Sequence, residues 1–324
     1  MKALMKSALA ALLAGSLPAH SGALQPATYS GPCDASAAVA LDTAHFVVGD
    51  DDERNTLHIY RQGQAQEVGS LDLSQFLATA ADKESDIEGV AAIGTRIYWI
   101  TSHGRNSKGK ARPSRHRFFA TEIVPGQPPT LKPVGQAYVD LLRDMSEAKP
   151  LKPYRLGDAG RLAAEAEGGL NIEGLAATPD GALLIGLRNP LRQQRALVIP
   201  LLNPGEVIAD SRARFGTPIE LDLDRRGIRS IERIGASYLI VAGPSADRGS
   251  FALFRWSGQS GDQPTPVTES DLKDLRPEAL FGLPGGNRAQ LLSDDGGVVI
   301  GGVECKELPE ADQSFRSLTI MPKE

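Results

Sequence analysis

One motif recurs along the chain and constrains its fold more than any other feature. An acid opens a short apolar run, a tight turn follows, and a second apolar run ends in a polar group. Two copies read DIEGVAAIGTRIYWITSHGRN and NIEGLAATPDGALLIGLRNP. In both copies the polar group lies 15 residues after the acid, because 103 − 88 and 188 − 173 give the same separation. Each copy predicts two antiparallel strands joined by a turn.

Three further copies extend the pattern over most of the chain. In the third copy Ser293 lies 15 residues after Glu278, in a looser copy Glu232 holds the acid's place, and in a degenerate copy Ser36 replaces it. A third apolar strand follows each copy, at residues 56–62, 116–124, 196–202, 250–256 and 314–321. Repeated antiparallel units of this size are typical of propellers. The sequence therefore predicts an all-β fold, a single five- or six-bladed β-propeller over residues 33–324.

The widest gap between copies separates Glu88 from Glu173, which are 85 residues apart (173 − 88). This gap has room for a sixth unit or for an insertion. Apolar residues recur at helical spacing within Gln136–Ala148, and a second short helix is expected within Leu156–Ala166. We therefore predict a partly helical insertion around residues 130–168 on one face of the propeller.

The first residues have the pattern of a secretory signal. Lys2 and Lys6 precede an apolar run at residues 8–13, and small residues follow. Residues 1–23 are predicted to be a signal peptide, so the protein is expected in the periplasm or secreted. Without these two lysines the formal charge falls from −5 to −7, which argues against binding nucleic acid by bulk electrostatics. No later segment is long and apolar enough to predict a membrane span.

The chain has two cysteines, Cys33 and Cys305, which lie in the first and the last repeat. In an oxidising compartment such a pair is expected to form a disulfide. A closed ring of blades would bring the two repeats together, so the disulfide and the propeller support one another. The alternative is two unrelated buried thiols.

The motifs IEG, SHGRN and GLRNP, with the later LRPEAL, resemble a family of bacterial proteins known as a domain of unknown function. The resemblance covers roughly residues 35–321 and implies a β-propeller-like fold, but no activity. The acid–glycine strands are more distantly similar to those of phytase-like esterase propellers and calcium-dependent lactonase propellers. That similarity implies acidic residues around a divalent cation at the central channel.

Equivalent positions in successive blades form a ring near one mouth of a propeller's channel. The predicted ring contains Glu88, Glu173, Glu232 and Glu278. Gathered carboxylates need protons or cations to compensate their charge. One solution is Ca²⁺ held by Glu88, Glu173 and Glu278, since calcium prefers oxygen ligands. The other is an architectural ring in which arginines pair with the acids and fix the blades.

A basic loop, Ser102–Arg117, has six arginines and lysines and no acid. Such a loop is expected either to bind an anion or to be a solvated loop that pairs with the acidic run at residues 50–53. It lacks the aromatic residues that single-stranded nucleic acid favours. The predicted anion-binding residues are Arg105, Arg188 and Asn189.

Two functions of different classes fit these patterns. In the first, a metal-dependent hydrolase cleaves a small anionic substrate, a phosphate ester or a lactone, at the channel mouth. The predicted catalytic residues are then His103, as proton shuttle, and Glu173. In the second, the protein is a non-catalytic ligand-binding or scaffold propeller whose Glu–Arg ring is structural. The sequence leaves open whether the protein is an enzyme.

Overall fold

The residues that the structure describes form five four-stranded antiparallel sheets and one small hairpin, together with short helices. The structure is a computed structural model that describes residues 26–50, 55–80, 83–246, 249–268, 272 and 274–321. The predicted all-β propeller is confirmed, and the number of blades is five. The predicted signal peptide, residues 1–23, lies outside the described residues.

The strands in chain order are β1 (Ala27–Ser30), β2 (Ala35–Ala40), β3 (His45–Asp50), β4 (Thr56–Arg61), β5 (Glu67–Asp72), β6 (Ile87–Ile93), β7 (Arg96–Thr101), β8 (Phe118–Val124), β9 (Thr130–Tyr138), β10 (Asn171–Ala177), β11 (Leu183–Asn189), β12 (Ala196–Leu201), β13 (Ile219–Leu221), β14 (Gly227–Ile234), β15 (Ser237–Gly243), β16 (Ala252–Trp256), β17 (Thr265–Val267), β18 (Pro277–Gly282), β19 (Ala289–Ser293), β20 (Val299–Ile300), β21 (Val303–Glu304) and β22 (Ser314–Ile320). The α-helices are α1 (Ser74–Leu77), α2 (Leu141–Glu147), α3 (Leu156–Ala159) and α4 (Pro204–Val207), and 3₁₀ turns cover Pro113–Arg115, Lys149–Tyr154, Cys305–Glu307 and Glu310–Asp312.

Blades 1 to 4 are continuous in the chain, and blade 5 joins both ends of it. Blade 1 consists of β2–β5, blade 2 of β6–β9, blade 3 of β10–β13 and blade 4 of β14–β17. Blade 5 has the order β18-β19-β22-β1, so its outermost strand comes from the N-terminal side of the chain. The pairing of β1 with β22, from Ala27↔Ser317 to Ser30↔Ser314, closes the ring through backbone hydrogen bonds.

The hydrophobic core is divided among the five junctions between neighbouring blades. The innermost strands β2, β6, β10, β14 and β18 contact one another in sequence, and β18 contacts β2 to complete the circle. One apolar cluster fills each junction, as where Val47 and Leu57 of blade 1 meet Ile87 and Trp99 of blade 2. Because apolar burial occurs between blades, each blade is stable only beside its neighbours.

The insertion between blades 2 and 3 is partly helical, as predicted. Its first residues, however, form β9, and the helix α2 begins only at Leu141. The predicted helix over Gln136–Ala148 therefore started too early, because Tyr138 pairs with Phe118 in the sheet. The helix expected within Leu156–Ala166 is the single turn α3. Within the described ranges, we find no helix long and apolar enough to cross a membrane.

The predicted disulfide is confirmed. Cys33 and Cys305 are bonded, with their Cα atoms 6.0 Å apart and a sequence separation of 272. Cys33 lies between β1 and β2, and Cys305 follows the β20–β21 hairpin of the last repeat. The disulfide therefore ties the first blade to the last at the closure of the ring.

Candidate functional site

A β-bulge interrupts each innermost strand at an equivalent place. The register shifts between Ala35 and Ala37, and the corresponding shifts in the other blades each skip one residue. The skipped residues, here called the bulge ring, are Ser36, Glu88, Glu173, Arg229 and Glu278. A bulge re-aims a side chain out of the regular alternation, and bulges are frequent beside functional sites. The repeat seen in the sequence is thus a repeat of bulges.

Blade 4 corrects the predicted ring. Its bulge residue is Arg229, whereas Glu232 lies three residues further along β14 and pairs in register with Leu239. Burial raises the pKa of Glu232 to about 8, although the amides of Gly282 and Arg233 donate hydrogen bonds to it. Sequence alone placed Glu232 in the ring because it is the acid of the looser copy of the motif. The bulge ring has three acids, one arginine and one serine, and Glu232 is not a member of it.

Arg229 joins three blades at the channel. Its Nε lies 2.9 Å from Glu173 Oε2 of blade 3, and its Nη2 forms an ion pair with Glu278 of blade 5. The guanidinium also lies over the Phe251 ring, 5.7 Å from the centroid. Burial lowers the pKa of Arg229, and the negative charge of Glu173 opposes that effect. The arginine is thus held charged by the carboxylates that it joins.

Arg188, at the end of β11, is the second cation of the site. Its Nη1 donates to Glu173 Oε1 at 3.0 Å, its Nη2 lies 3.4 Å from Glu165 Oε1, and its Nε donates to the Pro244 carbonyl at 3.2 Å. Burial would lower the pKa of Arg188, but the neighbouring charge of Glu173 outweighs it and the pKa is raised. Glu173 therefore accepts contacts from two arginines, one at each carboxylate oxygen.

Glu88 is the ring acid of blade 2 and is buried, with 8% of its surface exposed. Its charge helps to raise the pKa of Arg188 and that of Arg115, behind larger contributions from nearer carboxylates. Ser36, the ring residue of blade 1, donates to the backbone carbonyl of Ile87, next to Glu88 in the chain. The bulge ring thus combines three acids and one guanidinium group with the hydroxyl group of Ser36, which lies next to the strand of Glu88.

A pocket of about 1230 Å³ opens over the ring and is here called the mouth pocket. Its charged lining consists of Glu88, Glu165, Glu173, Glu278, Asp294, Arg188, Arg229 and Arg276. Its apolar wall comes from blade 4 and from the segment that leads into blade 5, and includes Phe251, Leu253, Val267 and Leu275. A concave, largely apolar cleft with a few convergent polar groups is the usual form of a small-molecule site.

Asp34 extends the site toward the disulfide, and sequence reasoning did not single it out. It forms an antiparallel bridge with Asp294, which lines the mouth pocket. Burial, followed by the hydrogen bond to Asp294 and its charge, raises the pKa of Asp34 to about 8. A carboxyl with this pKa keeps its proton at neutral pH and donates it to the neighbouring carboxylate. Nothing in the spacing of the repeats distinguishes Asp34 from other acids in turns.

His103 was predicted to shuttle protons, but the structure places it away from the mouth pocket's lining. Its ring is 1% exposed, and Nδ1 donates to the Thr101 carbonyl at 2.8 Å. Its ring lies 5.3 Å from that of His116. Burial, together with the positive field of His116, lowers the pKa of His103 to about 3. His103 is therefore neutral at physiological pH and is bound to the backbone.

Arg105 and Asn189, predicted to bind an anion, both donate to backbone carbonyls. Arg105 donates to Gly160 and to Gly109, each at 3.0 Å. Asn189 donates to Ala164 at 2.9 Å and to Ala166 at 2.7 Å. Both side chains fasten the insertion to the blades, and neither lines the mouth pocket. Of the three predicted anion-binding residues, only Arg188 lies at the site.

Three of the six cations of the basic loop, Arg105, Arg115 and Arg117, are engaged by the protein itself. Arg115 forms an ion pair with Asp86 at 3.0 Å and a second one with Glu84, and Arg117 donates to the Leu77 carbonyl at 2.8 Å. Of the acidic run at residues 50–53, only Asp50 is described, and it lies 3.6 Å from His58 Nε2. Arg115 and Arg117 thus tie the loop to the segment that connects blades 1 and 2.

The three predicted calcium ligands, Glu88, Glu173 and Glu278, all line the mouth pocket. Within the part of the chain that the structure describes, however, no group of three or more His, Cys, Asp or Glu side chains is placed to hold a metal ion. Arg229 lies between Glu173 and Glu278 and contacts both. In this arrangement guanidinium groups take the place that a cation would need, so the residues do not fit a calcium ion as they stand.

Comparison with protein families gives one match, to the model described as "Protein of unknown function (DUF3616)", over residues 34–120 and 140–291. The search of curated proteins found no match. Among solved structures, the PQQ-bound aldose sugar dehydrogenase of Streptomyces coelicolor is 11% identical, with 92% of this chain and 99% of that chain covered and a TM-score of 0.46. An oxidoreductase (glucose dehydrogenase) of Thermus thermophilus is 14% identical, with 92% and 100% covered and a TM-score of 0.46. Likenesses this distant carry no argument about activity.

Proposed function

Since the chain belongs to the DUF3616 family, whose description assigns no function, we propose from the geometry of the site that it binds a small organic molecule in the mouth pocket. The observation that carries this proposal is the pocket itself, about 1230 Å³ with an ionic floor and an apolar wall. The volume is large enough for a ligand of ordinary metabolite size.

The floor of the pocket is already organised before any ligand binds. Glu173 accepts from Arg188 and from Asn171, whose Nδ2 lies 2.8 Å from Oε1, and it is paired with Arg229 as well. Side chains fixed in this way lose little further entropy when a ligand arrives. Because the pairs leave both donors and acceptors at the pocket surface, they favour recognition of a polar group by several hydrogen bonds.

The same contacts favour binding over catalysis. A general base must reach the proton that it removes and must be able to accept it. Both oxygens of Glu173 already face guanidinium groups, and His103 is buried with its pKa lowered to about 3. The contacts of Glu173 and His103, the two predicted catalytic residues, therefore suit a structural role better than a catalytic one.

Hydrolysis is the second candidate, and one observation favours it. Glu88 and Glu278 line the same open pocket from different blades, as a base and an acid acting on one substrate would need. In the metal-dependent form, calcium bound by Glu88, Glu173 and Glu278 would have to displace Arg229. That form predicts that calcium raises the melting temperature and that a chelator lowers it. A screen of phosphate esters and lactones, with Glu88→Gln as control, tests the activity itself.

We further propose that the protein works outside the cytoplasm. The disulfide between Cys33 and Cys305 supports this, because such bonds persist in oxidising compartments. Cell fractionation with an antibody against the native protein tests the location. Recovery from the cytoplasm with both thiols reduced would contradict the proposal.

The binding proposal is tested by a thermal-shift screen of a metabolite library. Compounds that raise the melting temperature are measured again with Ala246→Trp, which adds a large side chain at an exposed alanine of the pocket lining. We expect the hits to be lost in this variant. Ala111→Trp is the matched control, since Ala111 is exposed in the basic loop and outside the pocket lining. Hits that survive Ala246→Trp unchanged would refute the mouth pocket as the binding site.

A further inference from the structure

The mouth pocket has more negative than positive charge in its lining. Its acids are Glu88, Glu165, Glu173, Glu278 and Asp294, and its cations are Arg188, Arg229 and Arg276. With every group ionised, five carboxylates and three guanidinium groups give a net charge of −2. An excess charge in a concave site of lowered dielectric acts on a ligand more strongly than it would in open solvent.

The negative charge of the lining remains in excess because Arg188 and Arg229 each contact more than one acid. Arg229 contacts Glu173 and Glu278, and Arg188 contacts Glu173 and Glu165. Two guanidinium groups therefore serve three carboxylates. The charge of Glu88 contributes to the field at both arginines. The third cation of the lining, Arg276, is exposed at the rim of the pocket and is well placed to be screened by solvent.

An anion would meet two obstacles in this pocket. It would enter against the net negative charge of the lining. To reach Arg188, it would also have to replace Glu173 at 3.0 Å and the Pro244 carbonyl at 3.2 Å, both of which already accept from that guanidinium. Breaking a buried ion pair leaves a carboxylate without its partner, and the cost is large.

The apolar wall indicates what else the ligand carries. Leu253, Val267 and Leu275 face the pocket beside the charged floor, and Phe251 packs its ring against Arg229. A compact metal ion would leave this wall in contact with water. A molecule that has both an apolar skeleton and a charged group buries the wall and reaches the floor at the same time.

We propose that the ligand of the mouth pocket is an organic cation, a protonated amine attached to an apolar skeleton. This inference rests on the proposed binding function and specifies the class of ligand. The ammonium group lies over the acids of the bulge ring, on the side of Glu88, and the skeleton lies against the wall from blade 4. The ammonium group compensates the excess charge that the arginines leave.

Calorimetric titration with three probes of similar shape tests the proposal: phenethylamine, the neutral phenylethanol and the anion phenylacetate. We expect phenethylamine to bind at least about tenfold more tightly than phenylacetate, with phenylethanol between them. The preference should shrink as salt is added, because the pocket opens to solvent.

Two variants test whether the charged residues of the mouth pocket determine the affinity for phenethylamine. Glu88→Gln should weaken phenethylamine binding about tenfold, and Arg276→Gln, at an exposed position, should strengthen it. The matched controls are Glu122→Gln and Arg143→Gln, which remove the same charges from exposed ion pairs outside the pocket lining. Neither control should change the affinity. Because Arg276 is exposed, its variant remains informative even if Glu88→Gln fails to fold.

Each contrary outcome has its own meaning. Tighter binding of phenylacetate than of phenethylamine overturns the cation inference and leaves the binding function standing. Displacement of phenethylamine by calcium chloride at equal ionic strength overturns it in favour of a metal site. Binding of none of the three probes overturns it too, while the library screen decides the binding function separately. If phenethylamine binds Glu88→Gln and Arg276→Gln as tightly as wild type, the ammonium group does not bind in the mouth pocket and the inference is overturned.

Discussion

Arg229 is the side chain that connects the ionic contacts of three neighbouring blades. It is buried, with 6% of its surface exposed, and its partners Glu173 and Glu278 are buried as well. In such a network the attraction between the charges has to offset the loss of hydration of each one. Removing Arg229 therefore costs more than the pairing contributes, because Glu278 loses its ion pair with Arg229 and Glu173 keeps only Arg188 in a poorly hydrated site.

We expect Arg229→Gln to lower the free energy of unfolding by about 3–5 kcal/mol, since Glu278 loses its ion pair with Arg229 and Glu173 loses one of its two arginines. Chemical denaturation followed by circular dichroism measures the change. The control is Arg214→Gln, which removes an exposed ion pair with Glu206 and should cost less than about 1 kcal/mol. Equal effects of the two substitutions would show that the ring adds no stability.

The buried ring of His103 predicts how the free energy of unfolding changes at acidic pH. Its pKa is lowered to about 3 by burial, while an unfolded histidine has a pKa of 6.5. The stability due to its neutral form is therefore fully present above pH 6.5 and is lost as the pH falls toward 3. We expect His103→Asn to remove this part of the acid sensitivity. Free energies of unfolding at several pH values measure it.

His58 is the matched contrast for that experiment. Burial favours its neutral form, but Asp50 and Glu67 outweigh burial and raise its pKa. Its contribution to stability is therefore fully present below the unfolded pKa and is lost as the pH rises through the folded pKa. His58→Asn should change the pH dependence in the opposite sense to His103→Asn. The same sense for both variants would contradict the assignment of the two environments.

The ring acids of blades 2, 3 and 5 could be predicted from their constant spacing, whereas Arg229 was missed. A signal for it exists in the position of the turn. Glu88 lies six residues before the turn glycine Gly94, and Arg229 lies six residues before Gly235, since 94 − 88 and 235 − 229 are equal. The backbone bulge repeats at that place, and the side chain varies. The repeated property is therefore the position of the bulge relative to the turn, and the acidic side chain is not repeated in every blade.

The innermost strand of blade 4, β14, approaches blade 3 closely at Gly174 of β10 and at Gly186 of β11. A Cβ on Gly174 would lie 2.8 Å from Ile228 Cγ2 and 2.9 Å from Ile231 Cγ2, and a Cβ on Gly186 would lie 2.7 Å from Ile228 Cγ2. β-Branched side chains have few rotamers with which to move away. The absence of side chains at these two positions therefore sets how tightly blade 4 packs on blade 3.

We expect Gly174→Ala to lower the free energy of unfolding by about 1–3 kcal/mol through overpacking. Thermal and chemical unfolding measure the loss. Adding Gly174→Ala to Ile228→Ala should cost less than adding it to the wild type, because one of the two clashing methyl groups is then absent. Gly261→Ala is the control, since a Cβ there meets no atom within 4 Å. A loss in the control equal to that in Gly174→Ala would contradict the packing argument.

The inner three strands of each blade could be predicted, and the outermost ones could not. The inner strands are apolar runs separated by turns, so their pattern is strong. The outer strands are more exposed, as in β17, where Thr265 and Pro266 face solvent. Their position depends on pairing with the preceding strand and not on a pattern of their own. The fourth strand of blade 5 is β1, which no local pattern connects to β22.

At the scale of the whole molecule, one strand pairing and one covalent bond link the two ends of the chain across the closure of the ring. One is the backbone pairing of β1 with β22, and the other is the disulfide between Cys33 and Cys305. The first is lost locally when β1 separates from the sheet. The second persists in the unfolded chain, where it removes conformational freedom. The disulfide therefore acts mainly on the unfolded state, and the strand pairing acts on the folded state.

We expect the double substitution Cys33→Ser and Cys305→Ser to lower the free energy of unfolding by about 5 kcal/mol in the chain-entropy description. The loop that the bond closes is long, 272 residues in sequence separation, so the unfolded chain gains much freedom when it opens. The variant should still fold as a propeller, because β1 remains paired with β22. Chemical denaturation with and without reductant measures the effect. Wild type in reductant should match the variant, and reductant should leave the variant unchanged. A variant as stable as oxidised wild type would show that β1 alone closes the ring.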